Sequence, residues 1–240
     1  MKRLLLFVFV SAFLFSSCDH FSGKKIRGDG NITTQARQVS GFTGVDASSA
    51  FDIYLKQDSA YSVKVEIDGN LQDYVIVREE DGMLYIKQEE NTSLNSSGKI
   101  KIYVTAPKLK KFYASGACNF IGQNKIIVDD IINIDLSGSC DLSLDLKSPK
   151  VSAKLSGASS LSLKGETKDF EVDGSGSTDI SCFDLLTENT SIDISGAGNA
   201  EVYASVSLDI DLSGAANVKY KGNAAVDQQT SGAASVKKLD

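Results

Sequence analysis

The chain has 240 residues, with 25 Lys plus Arg against 31 Asp plus Glu, a formal net charge of −6, one His and no Trp. An acidic balance without a basic stripe excludes the usual electrostatic footprint of nucleic-acid binding and disfavours adsorption to anionic lipid heads. The single histidine, His20, lies near the N-terminus, so the folded body is expected to hold neither a Ser-His-Asp triad nor a His-ligated metal.

Lys2 and Arg3 precede an apolar run from Leu4 to Phe15. That run has the length of a signal-peptide core and is too short to cross a bilayer as a helix. Ser16 and Ser17 are small, and Cys18 follows at once. The layout resembles the lipobox of bacterial lipoproteins, with Phe15 where Leu is usual. By that resemblance residues 1–17 are a signal peptide and Cys18 is lipidated to become the mature N-terminus. Its acyl chains then hold the protein at a membrane. An exported, membrane-anchored lipoprotein of the outer membrane is expected, facing either the periplasm or the surface. Residues 18–27 read as a polar tether.

Residues 28–112 read as an irregular β region. Alternation of apolar and polar residues predicts strands over Phe51–Gln57, Tyr61–Asp68, Asp73–Glu80, Gly82–Glu90 and Lys99–Pro107. Turns are expected at Asp68-Gly69-Asn70 and Asp81-Gly82, and Asn91–Gly98 reads as a flexible loop. The segment Asp46–Ile53 looks like a first coil, interrupted by a hairpin-like insertion.

Residues 113–240 repeat. A Ser-Gly pair returns at Ser115, Ser137, Ser156, Ser175, Ser195, Ser213 and Ser231, at intervals of 22, 19, 19, 20, 18 and 18 residues. A period of this size predicts a solenoid, in which one unit buries its apolar face only by stacking on the next. Five residues after each serine stand Phe120, Leu142, Leu161, Ile180, Ala200, Val218 and Val236, all apolar. Four residues after it stand Asn119, Asp141, Ser160, Asp179, Asn199, Asn217 and Ser235. These short polar side chains are expected to form a ladder at one corner of the coil. The Asp46–Ile53 segment matches the corner, with Ser-Ala where the others have Ser-Gly. Cys118 and Cys140 both stand three residues after a repeat serine and read as small ladder residues on adjacent levels, with a disulfide as the alternative. Cys182 reads as core. No CxxC spacing occurs, which argues against zinc and thioredoxin-type chemistry.

Residues Gly28–Gln57, the stretch Ala106–Phe120 and the serial SGA corners resemble the auto-transporter adhesin head GIN domain family of exported proteins. The likeness spans roughly Gly28 to Asp240. It implies an all-β, right-handed parallel β-helix-like solenoid of about 18–22 residues per repeat and an adhesin-like role. No set of membrane-barrel strands follows the repeats, so the N-terminal lipid is expected to be the link to the membrane.

The expected function is a non-catalytic, lipid-anchored envelope module that meets a glycan or protein partner, with self-association also open. No cofactor and no metal are expected. Two alternatives stand beside this reading. One is a carbohydrate-active enzyme using outward carboxylates such as Asp135, Asp145, Asp193, Asp209 and Asp211. The other is a structural or sensory envelope module. The scattered tyrosines suggest no aromatic platform.

Overall fold

The computed structural model describes residues 23–240. Cys18 and the signal peptide lie outside the described residues. From Lys24 onward the chain is almost entirely strand, as the alternating pattern requires.

The strands are β1 (Lys24–Arg27), β2 (Ile32–Arg37), β3 (Gly44–Ser49), β4 (Asp52–Gln57), β5 (Ser62–Asp68), β6 (Val75–Glu80), β7 (Met83–Gln88), β8 (Thr92–Asn95), β9 (Lys101–Ala106), β10 (Lys111–Gly116) and β11 (Asn119–Gly122). They continue through β12 (Ile126–Ile127), β13 (Ile132–Leu136), β14 (Asp141–Gly157), β15 (Ser160–Gly176), β16 (Asp179–Cys182), β17 (Leu185–Gly196), β18 (Asn199–Tyr203), β19 (Ser207–Gly214), β20 (Asn217–Lys221), β21 (Ala225–Gly232) and β22 (Ser235–Lys238).

Stacked parallel coils form a solenoid with two long faces. On the first, β3, β10, β13, the second half of β14, then β15, β17, β19 and β21 pair in parallel, level upon level. On the second, β4, β11, the first half of β14, the first part of β15, then β16, β18, β20 and β22 do the same. A shorter third side runs through β12 and the middles of β14 and β15 to the start of β17. The family-level expectation of a solenoid is therefore what the chain forms.

Register reproduces the sequence columns. Phe120, Leu142, Leu161, Ile180, Ala200 and Val218 stack in order and are each at most 1% exposed. Burying one such Leu or Ile contributes about 1.5–3 kcal/mol. The corners are tight because each repeats its glycine above another. Gly176 has φ 93°, and a Cβ there would lie 2.6 Å from the carbonyl oxygen of Gly157 one level below. No other residue fits that contact and that dihedral together.

Packing inside the corner is matched level by level. Cys118, Cys140, Ser159, Thr178, Gly198 and Ala216 follow one another along the inner column, all of them buried. Thr178 is the bulky member where its neighbours are smaller. Gly174 beside it and Gly198 above it leave the room, since a Cβ on either would lie 2.9 or 2.8 Å from Thr178 Oγ1. Cys118 and Cys140 are free thiols, as is the core residue Cys182.

The N-terminal region differs from the sequence reading in four respects. First, residues Lys24–Arg27, read as tether, form a strand paired in parallel with β8. Second, that partner lies inside the expected flexible loop Asn91–Gly98. The loop is held by Asp68, which is fully buried and accepts hydrogen bonds from Ser96 Oγ at 2.6 Å, Ser97 Oγ at 2.6 Å, Ser97 N at 3.0 Å and Gly30 N at 2.8 Å. Third, the first corner is Ser48-Ser49 rather than Ser49-Ala50, because Ser48 and Ser49 pair with Ser115 and Gly116. Ser49 adopts φ 131° there without being glycine. Fourth, no break separates residues 28–112 from 113–240, since β10 runs through that point and stacks on β3.

The insertion between β4 and β10 closes the end of the stack. Strands β7 and β9 lie in parallel against β3 and β4, on the side opposite β10 and β11. Antiparallel β6 then covers β7 through the Asp81-Gly82 turn, and antiparallel β5 and β2 extend the sheet from β9. An open parallel edge is thereby replaced by twisted antiparallel strands. At the opposite end β21 is exposed along its whole length. Gln228 and Thr230 there occupy the columns of Ile210 and Leu212. A polar terminal coil of this kind is the capping device expected of a solenoid.

Candidate functional site

The short polar residues of the repeat corner form one row on the second face. Asp52, Asn119, Asp141, Ser160, Asp179, Asn199, Asn217 and Ser235 pair in register from β4 to β22. Beside it runs a second outward row: Tyr54, Ile121, Ser143, Ser162, Ser181, Glu201, Lys219 and Lys237. The two rows alternate with the buried column between them, which is the strand period of two.

The ladder is bonded at its ends. Asn119 Nδ2 donates to Asp52 Oδ1 at 2.6 Å, and Lys99 Nζ lies 2.9 Å from Asp52 Oδ2. Burial works against ionisation of Asp52, yet the hydrogen bonds from Asn119 and Lys99 and the Lys99 charge outweigh it and hold the carboxyl below the usual range. At the other end Ser235 Oγ donates to Asn217 Oδ1 at 2.6 Å, and Asn217 Nδ2 donates to Asn199 Oδ1 at 3.4 Å.

The middle of the ladder is different. Side chains of Asp141, Ser160 and Asp179, and of Ser143, Ser162 and Ser181 beside them, make no hydrogen bond or ion pair among the described residues. All six line one shallow hollow of about 370 Å³, together with Asp52, Tyr54, Lys99 and Asn119. Glu201 and Lys219, 3.0 Å apart, stand beyond Asp179 on the same face.

Two parts of this site escape the sequence reading. Tyr54 and Tyr103, far apart in the chain, stack with ring centroids 5.1 Å apart and 19° between planes, because β9 lies beside β4. The Ser143-Ser162-Ser181 row is legible in principle, as the column six residues after the repeat serine.

The outward aspartates take other positions. Asp173, Asp193 and Asp211 form a row on the first face, with Lys154 and Asp135 continuing it. Burial, then Asp211 and Asp173, push the Asp193 carboxyl up. Asp145 faces Lys125 and Lys164, each at 3.9 Å. Asp209 pairs with Ser191 and Asp227 in the neighbouring row. Asp145 stands apart from the row of Asp173, Asp193 and Asp211, in the first half of β14 opposite Lys164, while Asp135, Asp173 and Asp193 line a second hollow of about 450 Å³ on the first face, with Lys154, Ser156, Ser175 and Ser195. Among the described residues no group of His, Cys, Asp and Glu is arranged to hold a metal ion. A third hollow, about 560 Å³, lies on the short side among Ile127, Pro149, Leu186 and Tyr203.

Fold and faces together define a parallel β-solenoid whose long polar sides carry rows of short side chains. Residues 41–224 match the family described as "Putative auto-transporter adhesin, head GIN domain", and the chain belongs to that family. Among solved structures, a protein of Bacteroides fragilis described as a putative adhesin is similar, with TM-score 0.76 and 19% identity over 89% of this chain and 100% of that one. A putative adhesin of Parabacteroides distasonis has TM-score 0.64 and 24% identity over 90% and 100%. A second protein of Parabacteroides distasonis, described as a putative lipid binding protein, has TM-score 0.72 and 23% identity over 90% and 100%. At these identities the likeness establishes the fold. Among curated proteins none matches. No helix among the described residues is long and apolar enough to cross a membrane, which says nothing of β-barrels.

Proposed function

We propose that the protein is a non-catalytic, lipid-anchored module of the cell envelope that binds a surface or matrix partner through its second face. The observation that carries this reading is the hollow at Asp141, Ser160, Asp179, Ser143, Ser162 and Ser181, six outward polar side chains that make no side-chain hydrogen bond or ion pair among the described residues. Membership of an adhesin-described family supports it. Anchoring through Cys18 at the outer membrane rests on the Lys2-Arg3, apolar run and Ser16-Ser17 layout before it.

The test offers the mature protein a panel of bacterial and host glycans and matrix proteins, with release of reducing sugar ends followed in the same wells. Saturable binding without release is the expected result. Release of sugar ends overturns the non-catalytic reading. For the anchor, metabolic labelling with a fatty acid should mark the wild type and leave Cys18→Ser unmarked.

A further inference from the structure

The short side of the solenoid carries a charge pattern that is its own complement. Four levels build this side, through β12, the middles of β14 and β15, and the start of β17. Side chains alternate inward and outward along each strand, so the outward ones form rows parallel to the solenoid axis. One row reads Ile127, Lys147, Glu166, Leu186, each residue in register with the next. Two residues earlier along the chain a second row reads Lys125, Asp145, Lys164, Asp184.

Both rows match themselves when reversed end to end. In the first, Ile127 meets Leu186 and Lys147 meets Glu166. In the second, Lys125 meets Asp184 and Asp145 meets Lys164. A twofold axis lying in this side and running along the strands, between the levels of Lys147 and Glu166, performs that reversal. It sets a second copy face to face with the first, with the solenoid axes antiparallel. Such a contact is isologous and closes at two copies. Parallel axes would instead set Lys147 against Lys147 and Glu166 against Glu166.

Exposure points the same way. Ile127 and Leu186 are large aliphatic residues at the two ends of one row, yet they are 53% and 52% exposed. The charges near them are loosely held within one chain. Lys125 lies 3.9 Å from Asp145 and 4.0 Å from Glu166, and Lys164 lies 3.9 Å from Asp145. Exposed pairs of this kind contribute little, so turning them toward a second copy costs little. Lys147 and Glu166, 3.0 Å apart, would join their counterparts in a ring of four alternating charges.

The third outward row departs from the pattern, since Asp129 and Glu188 meet there as like charges at the rim. Three rows about 6.6 Å apart and four levels about 4.8 Å apart span roughly 400 Å² per copy, about half of a standard interface. The contact is therefore weak and reversible.

We infer that the short side is the contact of an antiparallel dimer of this chain, in which Ile127 of each copy packs on Leu186 of the other and the two charged rows interlock. The inference goes beyond the reading of the second face and does not depend on it, because it uses a different side of the coil. The N-terminal caps of the two copies lie at opposite ends of the dimer.

The experiment follows the mature chain carrying Cys18→Ser, which has no lipid to drive association, by sedimentation velocity over a wide concentration range. A rise from monomer to dimer, with no larger species, is expected. Asp145→Lys and Lys164→Glu each place like charges across the twofold, and each should weaken association at least about tenfold. An equimolar mixture of these two variants restores opposite signs at that contact and should regain most of the loss. Glu188→Lys turns the rim repulsion into attraction and should tighten the dimer. Orientation is read by mild oxidation: Ile127→Cys mixed with Leu186→Cys should cross-link, and neither alone. The native thiols Cys118, Cys140 and Cys182 are buried. Monomer at every concentration overturns the inference. So does a dimer that both charge variants leave intact, a mixture that associates no better than the single variants, or either cysteine variant linking to itself in preference to the mixed pair.

Discussion

Thr178 occupies the space that Gly198, one level above, leaves open: a Cβ on Gly198 would stand 2.8 Å from Thr178 Oγ1. The two residues divide one fixed volume between adjacent coils, and Gly174 concedes a further part of it. Gly198→Ala should destabilise the protein by about 1–3 kcal/mol through overpacking. Thr178→Ala removes the obstructing hydroxyl, which is buried and has no hydrogen-bond partner. The double variant should therefore recover part of the loss, the remainder coming from Ile194 Cγ2, which would stand 2.9 Å from the added Cβ. Urea unfolding of the four proteins checks this, and additive effects would contradict the shared volume.

At Gly176 the constraint is the backbone itself. Its φ of 93° and the 2.6 Å approach to the Gly157 carbonyl leave no room for a side chain. Gly176→Ala should cost about 2–4 kcal/mol, from left-handed strain and overpacking together. An unfolding midpoint equal to wild type would show that the corner yields.

Asp68 predicts acid sensitivity of the N-terminal cap. Burial opposes its ionisation, but hydrogen bonds from Ser96, Ser97 and Gly30 outweigh burial and hold its carboxyl well below the usual range. A depressed folded-state value means stability fully present above the unfolded value, near pH 4, and lost as pH falls below it. Asp68→Asn should lower stability at pH 7 by roughly 1.5–3 kcal/mol and flatten the acid limb of the stability curve. Denaturant titrations at pH 7 and pH 3 measure both. An acid limb equally steep in the variant would contradict the assignment.

The buried Cys182 and Cys118 thiols should be inert in the folded state. Burial pushes Cys182 up to about 12. The neighbouring Cys140 thiol and burial push Cys118 up as well. Iodoacetamide at pH 8 should label neither residue in hours, and both within minutes in guanidinium. Rapid native labelling of Cys118 would show that the corner opens.

The regular coils are legible in the sequence because every level reuses the same columns. The stack Phe120, Leu142, Leu161, Ile180 emerges from counting five residues past each serine, and the register agrees. The N-terminal cap is less legible because its order in space departs from its order in sequence. β7 and β9 lie against β3 and β4, which precede them, and no periodicity encodes such a return. Ser49 hides the first corner for a similar reason: it takes a positive φ where the pattern looks for glycine. Loop Asn91–Gly98 looks flexible by composition, yet Ser96 and Ser97 are the donors that a buried Asp68 requires. The candidate site is half legible. Its ladder follows from the repeat, whereas the Tyr54–Tyr103 contact depends on the return of β9 to the side of β4.

The most direct test of the account compares adhesion of the mature wild type, of Ser162→Tyr on the second face and of Ser191→Tyr on the first, on the same immobilised partner. Ser162 and Ser191 are both exposed, so neither change disturbs the core. The account predicts loss of adhesion in Ser162→Tyr and wild-type adhesion in Ser191→Tyr. Loss in Ser191→Tyr with full adhesion in Ser162→Tyr would contradict it and move the contact surface to the aspartate face.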